Sequence, residues 1–447
     1  MKEDENMINN FKRTIWFKRF LPWIFLLLML PVKAKTEETH YAIKDLFDGL
    51  DTSPYTIQDS LMIDKADTQK KVAIGKLAPA VDLFTSFNST TEPTGMVPVP
   101  PDNLLAMVQN PSNAQPFSKN IFRMGGSFSV PLFIMPVYST IKKAKLMAQT
   151  ATLKKEINDQ KNRALVVGLN ANLQYMAAMD AALEQKYSSL LKTKEIIEIK
   201  VNENRVSKSA LLKIEAGLND IKLLKSNIEL NRSVAKAEIL KLTGINIVNP
   251  VDMTQTGSLK KDSFAPLKPL QNKIATEQKN VRIEKDKLYP KLVLLVNYNH
   301  SMAKSYNNDI GVQENFASIG VVLNMPLFRL DQYYKIKLAK IDYKISQNDM
   351  AKLKVDLKSQ AAKLNVDLET ISKQIVLYQS SLEQKEELLG IAKASYDVNR
   401  MTIEDYLKYE DDVLMETAKL FKTKAKKWQT LMQLAVIYGN NIEDIVK

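Results

Sequence analysis

"SFSVPLFIMPVYSTIKKAKL", residues 127–146, is echoed 195 positions later within "GVVLNMPLFRLDQYYKIKLAKI", residues 320–341. Both copies run apolar/polar alternation into Pro-Leu-Phe, at 131–133 and 326–328, then a Tyr, then a basic Ala-containing segment. The offset persists downstream: "NRVSKSALLKIEAGL" (204–218) lies on "NRMTIEDYLKYEDDV" (399–413), and Gly244 meets Gly439 without a gap. An offset kept over more than a hundred residues is an internal duplication, not a chance echo.

Upstream, "KLAPAVDLFTSFN" (76–88) matches "KLYPKLVLLVNYN" (287–299) at an offset of 211. The 16-residue change falls between Asn88 and Pro131, in a Pro/Asn/Ser-rich stretch that reads as a loop. Each repeat therefore predicts helix, strand, loop, strand, long helix, turn, helix. Repeat one covers 35–250, with strands near 80–88 and 121–131 and a helical hairpin over 137–243. Repeat two covers 251–447, with strands near 290–299 and 316–326 and a hairpin over 330–440.

The strands alternate cleanly. Val81, Leu83, Thr85 and Phe87 share a face against Asp82, Ser86 and Asn88; Phe122, Met124, Phe128 and Val130 oppose Arg123, Ser127 and Ser129. Leu292, Leu294, Val296 and Tyr298 form a third apolar face, and Ala317, Ile319, Val321, Leu323 and Met325 a fourth. About ten residues is the length of a tilted strand that crosses a bilayer. The helices are long: no proline occurs between Pro136 and Pro250, or after Pro326. At 1.5 Å per residue, 137–203 makes a helix of about 100 Å. Leu183, Tyr187, Leu190, Ile197 and Val201 in repeat one, and Tyr378, Leu382, Leu389, Ala392 and Tyr396 in repeat two, keep coiled-coil spacing.

Composition narrows the function. There is no cysteine and only two histidines, His40 and His300, so disulfides, thiolate metal sites and histidine-based catalysis have almost nothing to draw on. No phosphate-binding loop, nucleophile elbow or His-Glu-x-x-His helix occurs, and neither enzyme activity nor a cofactor is expected. The net charge of +13 comes from lysines interspersed with Glu and Asp along helices, which reads as solvated helix surface, not a nucleic-acid interface. Residues 1–34, with Lys12, Arg13, Lys18 and Arg19 ahead of an apolar run over 21–30, read as an export signal peptide.

Four amphipathic strands cannot close a membrane barrel, since single-chain barrels begin at eight and open edges in lipid leave amides unpaired. Spanning a membrane would require a cyclic homo-oligomer. A periplasmic coiled-coil adaptor or scaffold with a soluble β domain is the alternative.

At this point the chain resembles the TolC-type outer-membrane efflux proteins over about residues 41–441. The likeness rests on "KLAP" and "KLYP" entering the first strand of each repeat and on the "PLF" exits. It rests also on "DLFDGLDTSPYTIQDSL" (45–61) and on "SYDVNRMTIEDYLKYEDDVL" (395–414), similar to the signature at the tip of the inner coiled coil. The resemblance implies an α+β membrane protein: a homotrimer whose three chains build a 12-stranded β-barrel, continued by a long α-helical coiled-coil tunnel across the periplasm. It implies an exit duct in the outer membrane, used for efflux or type I secretion, with a periplasmic adaptor and an inner-membrane pump as partners.

It also implies site residues. The family's first acidic ring at the periplasmic gate falls on Asp405. The second falls on Lys408, a departure that weakens attraction for cations, because rings of charge set pore selectivity. Their first-repeat counterparts are Ala210 and Lys213. An ordinary i,i+4 pair of Glu404 with Lys408 is the competing reading of these side chains. Asn204, Arg205, Asn399 and Arg400 stand at the hairpin tips expected to dock the adaptor, with Asn where the family often has Gly. Pro131 and Pro326 are expected to end the strands at the junction of barrel and tunnel.

Overall fold

The structure, a computed structural model, describes residues 41–110, 112–398 and 400–447. The expected signal peptide, 1–34, and Asn399 lie outside the described residues. Two helices open the described residues: α1 (Ile43–Asp51) and α2 (Pro54–Gly75), the latter with Ser53 as N-cap and proline in the first turn. Then come β1 (Ala80–Gly95), α3 (Pro101–Gln109), β2 (Phe117–Ile134), α4 (Met135–Asn202) and α5 (Lys208–Thr243). The second half brings α6 (Leu267–Asp286), β3 (Lys291–Lys304), β4 (Gly311–Asn324), α7 (Leu330–Asp397) and α8 (Ile403–Tyr438).

The helix bounds repeat at the sequence offset. α4 and α7 both have 68 residues, α5 and α8 both have 36, and all four start and stop 195 positions apart. α5 and α8 end on Gly244 and Gly439, at φ of 73° and 71°, a left-handed cap that glycine adopts without a Cβ penalty. The strands are longer than alternation predicts, at 14 to 18 residues. The stretch expected to be loop between β1 and β2 holds α3, started by Pro101 in its first turn.

The four strands form one antiparallel sheet in the order β1-β2-β3-β4. Its register places Val81, Phe128, Val296 and Ile319 in one row, with Asp82, Ser127, Asn297 and Ser318 in the next. The four apolar faces are thus a single face of the sheet. It is bare at its edges, where Leu83 is 87% and Ile319 75% exposed. The other face is polar, and on β4 its residues Glu314, Phe316 and Ser318 are half-buried while the apolar alternates are exposed. Gly125 lies on this polar face, where a Cβ would sit 2.1 Å from the Tyr298 carbonyl and 3.0 Å from the Phe84 ring.

Pro131 corrects one expectation. It does not end its strand: Pro131 still pairs with Val293, and β2 continues through a register shift between Pro131 and Phe133 to Ile134. The reason is local. Pairing with β1 stops at Ala80 and Ser129, so the strand is one-sided beyond that point and tolerates a missing N–H. Pro326 lies two residues past the end of β4, between sheet and helix.

The helices make two layers of four. Nearest the sheet, α4 lies between α2 and α6, and α6 reaches α7; towards the tips, α4 lies between α5 and α8, and α8 packs on α7. Where the layers meet, α1, the middle of α4 and the ends of α5 and α8 build the main core, with Leu46, Val166, Leu173, Ile239, Met432 and Ile442 fully enclosed. Asn170, fully buried, clamps the chain leaving α5. Its Nδ2 donates to the Val251 carbonyl at 2.7 Å and its Oδ1 accepts the Val251 N–H at 2.9 Å.

Candidate functional site

The helical tips hold the expected gate residues. In repeat one, α4 closes through Asn204 at φ 55°, an angle asparagine tolerates, and the Arg205 N–H donates to the Lys200 carbonyl at 2.8 Å. In repeat two the Arg400 N–H donates to the Ser395 carbonyl at 2.9 Å, the same bond 195 positions on. The backbone turn is shared, but the side chains are not. Thr402 caps α8 by accepting the Asp405 N–H at 3.2 Å, and its hydroxyl donates to the Asp405 carboxylate at 2.7 Å. Ser207, the equivalent residue, makes no such cap, and Ala210 stands where Asp405 would be.

Asp405 and Lys408 pair at 3.0 Å, both exposed. The Thr402 hydroxyl first, and Lys408 second, hold the Asp405 carboxyl below the usual range, while Asp405 raises the Lys408 ammonium. The Glu404–Lys408 pair is corrected. Glu404 instead bonds Lys213 of α5 at 2.7 Å, because α8 enters against the first hairpin and not along a free helix surface. Ile403, Leu407 and Leu414 pack there on Ile214 and Leu218, and on the seam Leu183, Leu190 and Ile197. The Glu404–Lys213 and Asp405–Lys408 pairs thus lie side by side at the hairpin tips.

About one turn deeper is a constellation that sequence reasoning missed. Glu410 is 8% exposed; it accepts the Tyr406 hydroxyl at 2.7 Å and that of Ser189, on α4. Tyr406 stacks on Tyr396 at 5.3 Å. Burial first, then the bond to Glu410, pushes the Tyr406 phenol up to about 12. Lys186, ion-paired with Asp411, is lowered by burial, partly offset by Glu410. Tyr396, Tyr406 and Glu410 all lie in the quoted 395–414 stretch, but Ser189 is 221 positions from Glu410, so nothing local announced the pairing. These bonds fasten α8 to α4 just inside the tip.

The other functional feature is a pair of open edges. Sheet and helical layers are each four elements wide. β4 and α7 form one edge, and β1, α2 and α5 the other. Large apolar side chains stand exposed along both: Leu61, Val72, Leu223 and Leu230 on α2 and α5, and Leu338, Val366, Leu377 and Ile391 on α7. Among the described residues, no helix is long and apolar enough to cross a membrane.

Comparison with known proteins shows what this arrangement is similar to. Residues 267–440 match the outer membrane efflux protein family. Over those residues the chain is similar to that family. No curated protein sequence matches it. Among solved structures, it is similar to the outer membrane channel CmeC of Campylobacter jejuni, with TM-score 0.74 and 18% identity, over 89% of this chain and 85% of that one. It is similar too to the outer membrane protein VceC of Vibrio cholerae, with TM-score 0.72 and 14% identity over 89% and 96% of the two chains. A third is the open state of the outer membrane channel MtrE of Neisseria gonorrhoeae, with TM-score 0.69, 12% identity and 90% of each chain covered. At such identities the likeness is one of fold. The outer membrane efflux protein family is one of channels, and it covers most of the second repeat, including the tip that carries Asp405 and Lys408.

Proposed function

We propose that three copies of this chain form an exit duct, passing substrates from an inner-membrane pump and a periplasmic adaptor to the outside. The observation that carries the reading is the coincidence of open edges in sheet and helices. β4 and α7 of one copy can pair with β1, α2 and α5 of the next, so one rotation closes all layers together. Closure is obligatory in lipid, because a barrel edge there leaves unpaired amides. Three copies supply twelve strands and two tiers of twelve helices. The apolar face, from Leu292 to Met302 along β3, runs about 34 Å at 3.4 Å per residue, close to the needed span once tilted.

In this reading the polar face of the sheet lines the lumen and α4, α5, α7 and α8 form the periplasmic tunnel. Asp405, Lys408 and Lys213 stand at its narrow end, and the tips at Asn204, Arg205, Asn399 and Arg400 meet the adaptor. Planar-bilayer recording of the purified protein tests it. Ion-conducting channels are expected, and Asp405→Ala and Lys408→Ala should change conductance and cation/anion permeability. A protein released from membranes by carbonate without detergent, and forming no channels, contradicts the duct; unchanged permeability in both variants removes only the gate assignment.

A further inference from the structure

Past the register shift between Ser89 and Thr94, the β1–β2 hairpin leaves the plane of the sheet. Gly95 pairs with Phe117, and the Met96 N–H donates to the Pro116 carbonyl at 2.9 Å, so the two strands bend together. The direction of the bend is fixed by what it touches. The Ser301 hydroxyl donates to the Met96 carbonyl at 3.2 Å, and Ser301 belongs to the polar face of β3, two strands away from β1. Arg123, on the same face of β2, donates from its guanidinium to the Gly95 carbonyl at 3.0 Å. Met96, Ile121 and Ser301 are all buried by this crossing, Ser301 completely. The crossing takes Ile121 and Ser301 to full burial, whereas Ser127, Asn297 and Ser318 on the same face are only half-buried.

The segment is also held there. Ser305, fully buried in the β3–β4 connection, accepts the Gln115 N–H and donates to the Gln115 carbonyl, both at 2.8 Å. Asn308 donates to the Ser112 carbonyl at 3.1 Å, and the Tyr306 N–H to that of Phe117 at 2.8 Å. Between the crossing at Met96 and this staple runs α3, with Leu105 exposed and Leu104 and Met107 half-buried.

We infer that the bent β1–β2 hairpin end and α3 form a fixed constriction inside the outer mouth of the barrel, so that residues 96–109 set what leaves the duct. This rests on the trimeric reading above, in which the polar face is the lumen and three copies of the segment converge. An apolar segment there, with Leu105 at its surface, would make a narrow, poorly wetted exit, in contrast to the charged periplasmic end.

The chain has no cysteine, so a single introduced thiol reports its own position. In the full-length oligomer, Leu105→Cys is treated with a bulky charged thiosulfonate reagent during bilayer recording, and in parallel with a bismaleimide shorter than the barrel diameter. The expected results are a stepwise loss of single-channel current and covalent dimers on denaturing gels. Ser301→Ala, which removes the bond to the Met96 carbonyl, is expected to give noisier current and weaker cross-linking. Current that ignores the reagent, together with thiols that never cross-link, overturns the constriction and leaves the duct standing. No current and no oligomer on sizing overturn both.

Discussion

At the scale of single residues, the polar groups that matter are buried ones that tie one segment of the chain to another. Asn170 holds both backbone groups of Val251 where no water reaches. Asn170→Ala is expected to destabilise the protein by about 1–3 kcal/mol, the cost of leaving the buried Val251 N–H unmet while its carbonyl keeps Gln174, measured by thermal unfolding in detergent. Tyr406 is a second case, through the Glu410 carboxylate it shares with Ser189 of α4. Its phenol is raised from 10.0 to about 12, so the stability it contributes is fully present below pH 10 and lost as pH rises through the higher value. The phenolate difference spectrum between the parent and Tyr406→Phe should show one tyrosine titrating near 12; a group titrating at the ordinary value would contradict the enclosed Glu410 contact. Such pairs explain what the sequence left hidden. Asp405 and Lys408 could be placed from the 395–414 stretch, because their positions follow the hairpin turn. Glu404's bond to Lys213 and Glu410's to Ser189 cross between repeats, 191 and 221 positions apart, and only the packing of α8 on the first hairpin creates them.

Elements were far more legible, for a physical reason. A helix of 68 residues repeats its 3.6-residue pattern many times, and proline-free stretches bound it sharply. The 195-residue offset then fixed both hairpins at once. What stayed obscure was the β1–β2 connection: strand extension past a register shift depends on the partner strand, and α3 depends on where the bent hairpin comes to rest. Pro131 was misjudged for the same reason, since its tolerance depends on where β1 stops pairing. The two glycine caps give a test at this scale. Gly244 and Gly439 have the same left-handed φ, so alanine at either is expected to cost roughly 1 kcal/mol from backbone strain alone. A Cβ at Gly244 meets open space, whereas at Gly439 it would stand 2.6 Å from Ala265 Cβ. Gly439→Ala should therefore lower the unfolding temperature more than Gly244→Ala; equal effects would contradict the packing of α8 on the 264–266 turn.

For the whole molecule, the chain is best read as an incomplete sector. Its three layers are each four elements wide, each stops at an open edge, and exposed apolar side chains mark both edges of the helical wall. Disrupting one edge should unmake the assembly rather than the chain. Leu223→Glu with Leu230→Glu on α5 is expected to yield folded helical protein, by circular dichroism, that no longer assembles. The most direct test of the central claim is the native mass of the detergent-purified protein. Three chains per particle, dissociating to one chain in the α5 double variant, is the result the edges require. A stable, folded single chain in the parent protein would show that the edges need no partner, and would contradict the duct.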